Sequence, residues 1–177
     1  MKSYLAALVL LTTCVLAGGA PTRADALAAI ATLETDLLSD EGFEASRTIA
    51  QFAEESEEVI FVLGPETVPW VTEERPPNDP AEDAVRALLL AVYFAGNAKS
   101  QLLAKKTEDD PYSGWIAVLR AYRQIQAKRP VEIPSLEQFS ELEANGALQA
   151  HARETKEKLS DANPVPESSA PRRDNSF

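Results

Sequence analysis

The sequence predicts an all-α fold, a single antiparallel bundle of about five helices around a buried central helix. Three observations predict it. Between Ala84 and Ala98 only Arg86, Gly96 and Asn97 are not apolar, and a helix apolar on nearly all sides must be covered on nearly all sides. Elsewhere the apolar residues recur at helical spacing between Ser, Asp-Pro and Gly-Pro punctuation. No alternating run in the 177 residues is long enough to argue for a sheet.

Met1 to Ala24 reads as a leader. Lys2 supplies a short positive end, and Tyr4 to Ala17 is an apolar run about as long as a signal-peptide core, too short to span a bilayer comfortably. Small residues follow. Cleavage after Ala24 puts Thr22 and Ala24 at the small-residue positions and leaves Asp25 as the new N-terminus, whereas cleavage after Ala20 places Pro21 just beyond the cut. The alternatives are a retained anchor and lipidation at Cys14, the latter weakened by Thr13 before the cysteine. Once the leader is removed the chain has no cysteine, so a core and not disulfides must hold it together.

Asp25 to Ser39 is expected as the first helix, with Leu27, Ile30, Ala31, Leu37 and Leu38 on its inner face. Ser39 to Gly42 breaks it. Phe43 to about Val62 is expected as the second, with Ile49, Phe52, Ala53, Ile60 and Leu63 inside. Its last residues, VIFVL, equally suit a short buried strand, but no second strong strand exists to pair with them. Gly64-Pro65 stops this helix, Pro65 to Val71 can form one turn that sets Trp70 on the core, and Thr72 to Asn78 is a polar, proline-rich connector.

The central helix runs from Asp79 to about Lys106. Asp79 is its cap, Pro80 its first residue, and Glu82 can close a capping box. Gly96 within it points to close helix approach. Asp110 and Pro111 start the next helix, with Trp115, Val118, Leu119, Tyr122 and Ile125 on one face. Pro130 and Pro134 mark an extended connector, and Ser135 with Gln138 suggests a second capping box. Leu136, Phe139 and Leu142 face inward. Asn145-Gly146 kinks or splits the segment, which continues through Leu148 and His151 towards Leu159. The composition thus divides the chain into a signal peptide (1–24), a helical domain (25–160) and a disordered tail (161–177) rich in Pro, Ser and charge.

Charge and residue supply exclude most chemistries. With 28 acidic against 17 basic residues the net charge is −11, which disfavours nucleic acid and anionic membranes and suits a basic partner. The single histidine, His151, stands without a Gly-x-Ser-x-Gly turn. One His with carboxylates is a poor zinc set, and Glu108-Asp109-Asp110 lacks the alternating acids, Gly and distal Glu of a calcium loop. No residue is therefore assigned to catalysis, a cofactor or a metal. The one candidate ligand pocket is at Tyr93, Asn97 and Trp115. The expected function is an exported, secreted or periplasmic, non-enzymatic module that binds a protein partner and has no transmembrane segment once processed. The alternatives are a small-molecule or metal-ion binder using that pocket, and a carboxylate-dependent envelope hydrolase, which requires two acids converging in a concave site.

Overall fold

Among the described residues seven helices form: α1 (Arg23–Thr35), α2 (Asp40–Glu55), α3 (Pro69–Thr72), α4 (Pro80–Ala104), α5 (Pro111–Gln126), α6 (Pro134–Ala144) and α7 (Leu148–Ala162). The computed structural model describes residues 19–74 and 79–162, and among these there is no strand. The expected signal-peptide core falls in residues 1–18, and the expected tail falls almost wholly in 163–177, both outside the described residues.

α4 is the hub. Asp79 Oδ1 accepts from the amides of Ala81 and Glu82, both at 3.0 Å, and Pro80 occupies the first position. The helix ends where Lys105 turns left-handed, at φ 54°, and Lys106 N donates back to the Gln101 carbonyl. Leu88, Leu89 and Val92 are 5%, 0% and 6% exposed. α1, α2, α3 and α5 all pack on α4, and α5 in turn carries α6 and α7. By length and composition alone α4 could cross a membrane, but it is the protein's own core that covers it. Burying each of these Leu and Val side chains is worth about 1.5–3 kcal/mol, so α4 orders its neighbours.

α4 and α5 touch most closely at two glycines. A Cβ on Gly96 would come within 2.6 Å of both Ala117 Cβ and the Ser113 carbonyl oxygen, and one on Gly114 would strike the Tyr93 ring. Gly96 thus permits the close approach expected of it. The inner face of α5 is also as expected, with Trp115, Val118, Leu119, Tyr122 and Ile125 all essentially inaccessible.

Several expectations differ from the structure. α1 begins two residues early, at Arg23, because Thr22 and Asp25 form a reciprocal capping box. Its buried residues are Ala26, Ala29, Ile30 and Leu33, whereas Ala31 is exposed. In an alanine-rich segment many faces look alike. α2 ends at Glu55, and residues 56–64 are extended, leaving Ile60 and Leu63 each 48% exposed. Four glutamates within Glu54–Glu58 repel one another along a helix, and the β-branched residues that follow favour extension.

The expected capping boxes at Glu82 and Ser135 do not form as read. Glu82 instead pairs with the buried Arg86 at 2.5 Å. Arg86 also reaches Glu73 at 2.8 Å and the Trp70 carbonyl. Burial works against its charge, but the two carboxylates outweigh burial and raise its pKa further. Glu73 Oε2 then accepts the Ser135 amide at 3.2 Å, so α6 is capped by the residue that ends the neighbouring α3 rather than by its own side chain. At Asn145-Gly146 the segment splits into two helices, with Gly146 at φ +70°.

Candidate functional site

Tyr93 and Asn97 stand one turn apart on α4, and Trp115 lies on α5. Each of the three is 0% exposed. The Tyr93 ring rests on Gly114 and meets Trp70 edge-on at 6.0 Å between centroids. Trp115 Nε1 donates to the Thr67 carbonyl at 2.7 Å, while its ring packs on Phe139 at 4.5 Å and His151 at 5.4 Å. These are contacts of a filled core. A cavity of about 400 Å³ opens elsewhere, at the C-terminal end of α4, and Ser100, Gln101, Asp109, Asp110, Tyr112 and Lys156 are among the residues that line it.

Behind that cavity lies a polar network centred on Asn97. Its Nδ2 donates to Asp109 Oδ1 at 2.8 Å, and its Oδ1 accepts from Gln101 Nε2 at 2.7 Å and from the Asp110 amide at 3.0 Å. The Gln101 amide also grips the backbone of Ile60 on both sides. Its Nε2 donates to the Ile60 carbonyl at 2.7 Å, and its Oε1 accepts the Ile60 amide at 3.0 Å. A side chain thus fills the place that a paired strand would take. Lys156 of α7 closes the group by donating to Glu108 at 2.7 Å and to the Asp109 carbonyl at 3.0 Å. Five pieces of chain meet here: α4, α5, α7, the 105–110 turn and the extended 56–64 segment.

The carboxylates of the turn differ in protonation. Burial pushes the Asp109 carboxyl above the usual range, against the opposing pull of its bond from Asn97. Asp109 is 5% exposed, and its Oδ2 is buried without a hydrogen-bond partner. Burial works in the same direction on Asp110, but bonds from Ser100 and Ser113 outweigh it and hold that carboxyl low. The Tyr93 hydroxyl is also buried, and burial together with the nearby Asp109 raises its pKa against the opposing pull of Asn97. Hydrogen bonding to Lys156 lowers the pKa of Glu108.

Two adjacent carboxyls driven apart are the raw material of acid–base chemistry. Here, however, the oxygens of Asp110 are engaged by α5 and Ser100, and Asp109 Oδ2 has no accessible surface. Neither oxygen set is placed to reach a substrate. Among the described residues, no three His, Cys, Asp or Glu side chains are grouped to hold a metal ion.

The surface holds a second feature. Between Glu34 and Glu58 there are nine acidic residues and one basic residue, Arg47, and all ten are exposed. Only Glu34, Glu44 and Glu58 of the nine are ion-paired among the described residues, to Lys99, Arg47 and Arg23. A groove of about 500 Å³ lies between α1 and α2. Ala28, Ala29, Thr32, Ala45 and Thr48 form its floor, and Asp25, Asp40, Glu41 and Glu44 rim it. The small floor residues keep it open, and the rim makes it strongly anionic. Sequence reading overlooked Gln101 and this groove, and it took Asp109 only as one acid of a short polar turn. The available signal for the first was an Asn97–Gln101 pair at i,i+4 in an otherwise apolar helix. For the groove it was the cluster of alanines facing a helix of acids.

Comparison with known protein families, with curated proteins and with solved structures finds no match to this chain.

Proposed function

We propose that this chain is an exported, acidic, non-enzymatic module that binds a basic protein partner through the α1–α2 face. In that reading the leader is removed, the helices form one antiparallel bundle, the C-terminal tail stays disordered, and the protein works in the periplasm or outside the cell. The observation that carries the proposal is the segregation of charge. Asp25, Asp40, Glu41 and Glu44 rim a small-residue groove, and Arg47 is the one basic residue against nine acids between Glu34 and Glu58; this imbalance sets up an anionic field that attracts Lys- and Arg-bearing surfaces and speeds their encounter.

The test is a pull-down from the native exported fraction, with the leaderless chain as bait, beside the Glu41→Lys/Glu44→Lys variant. The expected result is a basic protein retained at low salt by the parent, released at high salt, and lost from the variant. Equal retention by both baits, or robust turnover by the parent in a broad activity screen, overturns the proposal.

The cavity lined by Asp109 supports a second reading, a small-molecule binder. Its specific observation is the cavity itself, about 400 Å³ and lined by Ser100, Tyr112 and Lys156 beside the Asn97 network. A thermal-shift screen separates the two readings, because a ligand specific for the folded state raises the melting temperature. The hydrolase and metal-ion alternatives draw no support from these carboxylates, since those of Asp110 and Glu108 are held in hydrogen bonds within the protein.

A further inference from the structure

The geometry points to the bond at which the leader is removed: we infer that processing occurs upstream of Thr22, at Gly19–Ala20, and not after Ala24. The inference rests on the export reading above.

Residues 22 to 24, which a cut after Ala24 would discard, are part of the fold. Thr22 Oγ1 accepts the Asp25 amide at 3.3 Å, and Asp25 Oδ2 accepts from the Thr22 amide at 2.9 Å and from its hydroxyl at 2.7 Å. This reciprocal box satisfies amides that the first turn of a helix otherwise leaves without partners. Arg23 does more than extend the helix. Its Nη2 donates to the Leu102 carbonyl, one of the last carbonyls of α4, and its Nη1 lies 3.5 Å from Glu58. One side chain therefore ties α1 to the end of α4 and to the extended segment after α2. A cut after Ala24 also places a free ammonium at the start of α1, where the helix dipole is already positive.

Gly19 and Ala20 differ from these residues. Both are exposed and lie outside α1, and a Cβ built on Gly19 meets nothing within 4 Å. Cleavage at Gly19–Ala20 puts Gly19 and Ala17 at the two positions where an export peptidase requires small side chains, and it leaves Pro21 one residue clear of the cut. The step is hydrolysis. Water adds across the peptide bond, the Gly19 carbonyl carbon takes its hydroxyl, and the Ala20 nitrogen takes the proton and becomes the new N-terminus.

The experiment is to express the full chain in a host with a general secretory pathway and to read the N-terminus of the exported protein by intact-mass and peptide sequencing. A start at Ala20 supports the inference, whereas a start at Gly19, Pro21, Thr22, Arg23 or Ala24 overturns the assigned bond and leaves export standing. A start at Asp25 overturns it and leaves export standing. An intact Met1 overturns both, and a lipid-modified Cys14 at the N-terminus overturns the inference through a different route of export. A second measurement compares chains made to begin at Ala20 and at Asp25. The shorter chain should melt about 5 °C lower, the shift expected for loss of a cap and a half-buried hydrogen bond in a protein of this size. Equal melting temperatures overturn the structural basis of the inference.

Discussion

Asp109 shows how a single side chain couples fold to pH. Burial raises its folded pKa above the ordinary value of 3.8. Such a group favours the fold fully below its unfolded pKa, and that contribution is lost as pH rises through the folded pKa. Asp109→Asn keeps an acceptor for Asn97 Nδ2 and removes the buried charge. At pH 7 the variant should be more stable than the parent by about 1 kcal/mol, and the advantage should vanish towards pH 4. Denaturant melts at the two pH values check this, and a variant less stable at pH 7 would contradict it. Glycines give a second contrast. Gly96→Ala drives a methyl into Ala117 and the Ser113 carbonyl and should cost about 2 kcal/mol. Gly146→Ala meets no neighbour but must hold φ +70° and should cost about 1 kcal/mol. At this scale Gly96 was legible, because glycine in the middle of an apolar helix has few other uses. Asp109 was not, since its burial depends on the 56–64 segment and α7, which lie remote in sequence.

Among the elements, α5 was fully legible because its five large apolar residues repeat at one spacing and nothing else competes for them. α2 was misread at its end. The residues Val59–Leu63 carry no helical or strand periodicity long enough to decide, and what holds them extended is Gln101, 41 residues further along the chain. Gln101→Leu retains bulk but loses both bonds to Ile60. Hydrogen exchange at the Ile60 amide should rise at least tenfold, with a global loss of about 1–2 kcal/mol. Unchanged exchange at Ile60 would show that packing of Val59 and Phe61 alone orders the segment. α6 carries a similar lesson. Its N-terminus is satisfied by Glu73, 62 residues earlier, and no local capping rule can register such a partner.

Across the whole molecule, the apolar segment read first in the sequence does sit at the centre, and the all-helical class follows from it. The acidic balance was equally visible in composition, but the gathering of Asp25, Asp40, Glu41 and Glu44 on the rim of one groove was not, because α1 and α2 meet only in the folded chain. A net charge of −11 repels itself, and salt screens that repulsion as the Debye length falls from about 30 Å at 0.01 M to about 8 Å at 0.15 M. The melting temperature should therefore rise by a few degrees over that range. A fall would mean that surface pairs such as Lys99–Glu34 and Lys156–Glu108 outweigh the repulsion. The grip of Gln101 on Ile60 has a further consequence for a population of molecules. Val59–Leu63 is uncharged, free of proline and half open to water, the profile of a stretch that templates cross-chain stacking into fibrils. The glutamine amide takes up the Ile60 amide and carbonyl that an identical stretch from another copy would need, so Gln101→Leu, which frees both, should also make a concentrated solution more prone to self-assembly.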